Sequence, residues 1–65
     1  MMQWRNDTIA NVTWDAREMA HESQYVAAKM ALAQFMAKNH AGVPYKIVRE
    51  LGSDDREAYL AVPNG

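Results

Sequence analysis

The chain has no cysteine, only three glycines and two prolines, and a single phenylalanine among its 65 residues. Without cysteine there can be no disulfide, and no thiolate is available for nucleophilic or metal chemistry. Two separated histidines are little from which to build a metal centre, so neither a metal nor any other cofactor is expected. These absences matter because the chain is short. A domain of this length buries only about 60% of the surface its unfolded form exposes, and small domains commonly make up the deficit with disulfides, a metal or a partner subunit. With the first two unavailable, a partner is the expected remedy.

Long apolar runs are also missing. Nothing approaches the roughly 18 residues that a membrane helix needs, so no membrane partner is expected. The opening stretch MMQWRND carries neither a basic n-region nor an apolar h-region, which makes a cytoplasmic location the expectation. Asn11-Val12-Thr13 fits the glycosylation sequon, but without a secretory signal it has no opportunity to be used. Charge of one sign is lacking as well: seven basic residues face eight acidic ones, for a net charge of −1.

The motifs of catalysis are equally scarce. Gly42, Gly52 and Gly65 are isolated, so no run of backbone amides can cradle a phosphate. Ser23 and Ser53 lie in no nucleophile elbow and beside no base. Asp54 and Asp55 are adjacent in a turn-prone stretch, but a calcium loop needs more oxygen ligands at fixed offsets. Glu18-x-x-His21 has the i, i+3 spacing by which di-iron bundles present carboxylate and imidazole. Such a site takes carboxylates from two further helices, so the pair reads as a solvated polar face. His40, close to Lys38, suits the negative end of a helix dipole. No catalytic residue is nominated, and an enzyme is not expected.

What the chain does contain is alanine and methionine. Eleven Ala and five Met stand beside only 11 Leu, Ile, Val and Phe, which favours helix and a core filled by adaptable side chains. The segment from Thr13 to Asn39 has no Gly or Pro and is rich in strong helix formers. Thr13 is a candidate N-cap with Asp15 and Glu18 near the positive dipole end, and Gly42 and Pro44 supply the stop. Tyr45–Leu51 and Ala58–Val62 are rich in β-formers and flank Gly52-Ser53-Asp54-Asp55, which predicts a hairpin. Tyr45, Ile47 and Leu51 share one face of the first strand, while Ala58, Leu60 and Val62 share one face of the second and are expected to lie on the helix.

Thr8–Trp14 reads either as a short strand, from its β-branched residues, or as a continuation of the helical stripe, with the strand favoured. The expected fold is therefore α+β: one long helix packed on a small antiparallel sheet, in βαββ or αββ order, as a single domain over residues 1–65.

A helix of this predicted extent would be about 40 Å long. That exceeds the width of a domain whose radius of gyration should be about 11 Å. Either the helix breaks, with His21-Glu22-Ser23-Gln24 the most polar stretch and Ser23 a candidate cap, or a second molecule covers the overhang. Two apolar stripes run along it: Met19, Val26, Met30, Ala33 and Ala37, and then Tyr25, Ala28, Leu32, Phe35 and Met36. A small sheet covers one, and the second either stays partly exposed, folds under the amino-terminal segment containing Trp4 and Trp14, or, the favoured reading, makes a helix-to-helix homodimer assisted by the small residues Ala20, Ala27 and Ala31.

The leading functional expectation is a protein that binds another protein or itself by steric contact, with Trp4, Tyr25, Phe35 and Met36 as aromatic and methionine anchors. Small, motif-free chains of balanced charge are common among phage and mobile-element products that inhibit host machinery, anti-CRISPR proteins among them. That expectation rests on size and not on any residue. The alternative is a nucleic-acid-binding regulator that uses Lys46, Arg49 and Arg56 of the hairpin. Against it, Glu50, Asp54, Asp55 and Glu57 are interleaved with those cations, whereas duplex binding draws on clustered positive charge.

Overall fold

The computed structural model describes residues 4–65. Strand β1 (Ala10–Asp15) leads through a short 3₁₀ turn (Ala16–Glu18) into helix α1 (Glu22–Asn39), followed by β2 (Tyr45–Leu51) and β3 (Arg56–Pro63). The strands form one antiparallel sheet in the order β1-β3-β2. The fold is α+β in βαββ order, a helix packed against a three-stranded sheet.

The amino-terminal ambiguity resolves in favour of a strand. Val12, Thr13 and Trp14 are β-formers, and their pairing with Tyr59, Ala58 and Glu57 outweighs the helical preference of the residues after them. The strand ends at Asp15, whose carboxylate accepts a hydrogen bond from the Arg17 backbone N–H at 2.9 Å and so caps the 3₁₀ turn. Thr13 is thus a strand residue, not the helix N-cap.

The helix starts eight residues later than expected, within the polar stretch His21–Gln24. Ser23 is not its cap. His21 occupies the N-cap position, and Gln24 Oε1 accepts from the backbone N–H of both His21 (2.8 Å) and Ala20 (2.7 Å). Two amides that the helix itself would leave without partners are satisfied by this one side chain. With 18 residues, α1 is about 27 Å long, within the 34 Å long axis of the molecule. There is no overhang to cover.

At its other end the His40 N–H donates to the Met36 carbonyl at 2.9 Å, and the chain reverses through Gly42 at φ +85°, a conformation that favours glycine. The β2–β3 turn is closed by Arg56 N donating to the Ser53 carbonyl at 3.1 Å, with Asp54 and Asp55 both at positive φ. Asp tolerates that region better than most residues because its short side chain can bond locally.

The expectation for β3 needs correction. Ala58, Leu60 and Val62 do share a face, but it points away from α1. They form a second core cluster with Val48 and Trp4, while Leu32 and Met36 of α1 pack on Ala61, Tyr59, Ile47 and Tyr45 of the other face. β3 is the central strand and is covered on both sides, so its residues 57–62 read as a near-continuous buried run and not as an alternation. Tyr45 and Ile47 lie on the helix side as expected. Leu51 has the same parity, but it is 73% exposed.

The two helical stripes also exchange roles. The second, through Tyr25, Ala28, Leu32 and Met36, faces the sheet; the first is turned outward, with Val26 51% and Met30 55% exposed. Met19 lies before the helix and is not part of either stripe. α1 lies over β1 and β3.

Candidate functional site

Among the described residues, the side-chain network that links the most elements is built around Glu57. Register places Trp14 of β1 directly across β3 from Glu57 and Arg49 of β2 across from Tyr59, so the three polar groups meet on the helix-facing side. Tyr25 descends from the first turn of α1 to close the group. The Trp14 indole Nε1 donates to Glu57 Oε1 at 2.9 Å, and Arg49 Nη2 donates to Glu57 Oε2 at 2.8 Å. The Arg49 guanidinium lies 4.5 Å from the centre of the Tyr25 ring, in cation–π contact. Trp14 meets Tyr25 edge-on, with centroids 5.8 Å apart, and Tyr59 at 5.0 Å.

Glu57 is 5% exposed. The bond from Arg49, followed by that from Trp14, holds its carboxyl below the ordinary range, although burial pushes the other way. Both oxygens of an ionised carboxylate are engaged, and its cation is braced by an aromatic ring. A group arranged in this way ties β1, β2 and β3 together; a general acid would need a raised pKa and an open approach. A second, more exposed cluster lies at the same end of the sheet, where Arg17 clamps Asp15 and holds its pKa down at about 2.

Concave surface occurs farther along the helix, towards its C-terminal half. A groove of about 440 Å³ runs between α1 and β1, lined by Ile9, Val12, Ala31, Leu32, Phe35 and His40. The Phe35 and His40 rings sit 5.9 Å apart across its end, and Phe35 is 46% exposed.

The four expected anchors are scattered. Trp4 packs on the sheet face away from the helix, Tyr25 belongs to the Glu57 network, and Phe35 borders the groove. Met36 is completely buried and offers no surface to a partner; its side chain fills the gap between α1 and β3. Lys46, Arg49 and Arg56 do not converge either. Successive strand residues alternate in direction, so Lys46 and Arg49 point to opposite faces of β2, and Arg56 lies at the far end of the sheet from Lys46. Arg49 is already paired with Glu57.

Glu18 and His21 are both exposed, one in the 3₁₀ turn and one at the helix start, and among the described residues no three metal-capable side chains come together. No helix among those residues is long and apolar enough to cross a membrane.

Sequence reasoning missed Glu57. The signal was present as the one acid next to the apolar run Ala58–Val62, but its partners could be found only from the strand register. No protein family, curated protein or solved structure matches the chain.

Proposed function

We propose that this chain is a non-enzymatic protein-binding module that acts by steric contact with a partner, either another protein or a second copy, as a small inhibitor or regulator of the kind encoded by phages and mobile elements. The observation that carries this reading is the number of large apolar side chains left outside a very small core: Val26, Met30, Phe35, Val43 and Leu51 are each exposed. In a chain with so few large apolar residues, leaving this many at the surface withholds burial energy from folding. That surface gains a purpose if a partner covers it.

The test compares tagged wild type with Phe35→Asp and Met30→Asp, each first shown to be folded by circular dichroism, and identifies what each retains by quantitative cross-linking mass spectrometry. The reading requires a protein, of either kind, held by wild type and lost from at least one variant. Equal retention by all three, or retention of nucleic acid alone with a steep salt dependence, overturns it.

A further inference from the structure

β2 is an edge strand, and the phase of its pairing can be read from the bonds at its two ends. Gly52 N donates to the Arg56 carbonyl at 2.7 Å and Asn64 N to the Pro44 carbonyl at 3.2 Å, both on the register that pairs Tyr45 with Pro63 and Leu51 with Glu57. Hydrogen-bonded pairs alternate along an antiparallel ladder. Lys46, Val48 and Glu50 therefore direct their backbone groups at β3, and Tyr45, Ile47, Arg49 and Leu51 direct theirs outward. Among the described residues no other strand pairs with that edge.

The side chains along the edge carry a second feature. Lys46 and Glu50 flank Val48 on the face away from the helix, and among the described residues neither joins an ion pair. Four residues apart on a strand is about 13 Å, too far for them to pair within one chain. Charges on an edge strand ordinarily repel an incoming strand. A lysine and a glutamate placed symmetrically about a central valine instead select one partner: the same strand, reversed.

We propose that β2 is a self-association edge, on which a second copy adds its own β2 antiparallel about a twofold axis at Val48, fusing the two three-stranded sheets into one. The proposal rests on the protein-binding reading above and names its partner. Lys46 then faces the partner's Glu50 and Glu50 the partner's Lys46, at non-hydrogen-bonded positions where side chains approach most closely. Val48 packs on the partner's Val48. On the helix side Tyr45 covers the partner's Leu51, the most exposed of the large apolar residues among those described, and the outward amides and carbonyls of Tyr45, Ile47, Arg49 and Leu51 are all consumed.

Neighbouring registers fail. A shift in one direction sets Lys46 against Val48, and a shift in the other sets Arg49 against Arg49; a register of odd offset inverts the faces. The other edge, β1, has no such complementarity, because its one charge, Asp15, is held by Arg17.

The test is a charge exchange on the full chain, read by sedimentation equilibrium. Wild type should dimerise; Lys46→Glu and Glu50→Lys alone should each weaken the dimer by about tenfold or more, since every cross-pair becomes a like-charge contact. Mixed in equal amounts, the two variants should form a heterodimer, and the double exchange in one chain should restore the homodimer. The heterodimer also excludes misfolding as the cause of weakening. A wild-type dimer indifferent to both exchanges overturns the edge and leaves self-association through another surface, so the protein-binding reading stands. A wild type that is monomeric at all concentrations also overturns this inference, and the protein-binding reading is then decided by the Phe35 and Met30 comparison.

Discussion

Met30 and Met36 are the same residue on the same helix, and their environments differ as far as two sites on one element can. Met36 is fully buried and Met30 is 55% exposed. Truncation of Met36 to alanine removes buried apolar atoms and leaves a void between α1 and β3, at a cost of about 2 to 5 kcal/mol. The total stability of a domain of this length is roughly 3 to 10 kcal/mol, so the loss is a large fraction of the whole. With the unfolding entropy typical of such a chain, 3 kcal/mol corresponds to a fall in melting temperature of about 20 °C. Met30→Ala removes a half-solvated side chain and gains helix propensity, so its effect should stay within about 0.5 kcal/mol, or a few degrees. Met36→Leu, which keeps the volume, should recover most of the loss. The assay is thermal melting followed by helical circular dichroism at one fixed protein concentration. If the two alanine variants melt within a few degrees of each other, or Met30→Ala is the more harmful, the assignment of the core stripe is wrong.

Other consequences are open to equally direct checks. Trp14→Phe removes part of a buried indole and leaves Glu57 Oε1 without its donor, which together should cost about 2 to 4 kcal/mol in denaturant unfolding; a variant as stable as wild type would show that neither the ring packing nor the bond contributes net stability. The Glu57 and Asp15 carboxyls are both held below their ordinary values of 4.5 and 3.8, so the unfolded chain binds protons more readily than the folded one. Their contribution is complete above those values and is lost as pH falls through the folded ones, about 2 for Asp15. Melting temperatures should therefore drop on the acid side, and Glu57→Gln should flatten part of that slope. An unchanged slope in Glu57→Gln would remove Glu57 from the account. Leu60→Ala, on the sheet face away from the helix, should destabilise about as much as Met36→Ala; a mild effect would mean that this face is not a second core.

The sequence made some of this legible and hid the rest for identifiable reasons. The hairpin was readable because its β-formers bracket a turn whose residues tolerate positive φ, and the helix C-terminus because Gly42 and Pro44 mark it. The helix start was hidden because Thr13 to His21 contains no breaker. Only the pairing of Val12, Thr13 and Trp14 with β3 draws those residues out of the helix, and that is a long-range effect. The stripes were exchanged because their hydrophobicity is nearly equal; what separates them is which one meets Ala61 and Tyr59. Among the expected anchors, Phe35 lies at a surface and Met36 does not, a difference of one residue along the chain and of a quarter turn around the helix.

The bond from Trp14 to Glu57 spans 43 residues of chain, whereas β2 and β3 meet across one tight turn. Closing the longer loop costs about 2 kcal/mol more in chain entropy than closing the hairpin. The hairpin should therefore form before β1 pairs along the other side of β3. The indole of Trp14 is the group that arrives with it. In a Trp4→Phe chain, which leaves Trp14 as the one tryptophan, its fluorescence should report that pairing as a step later than hairpin formation.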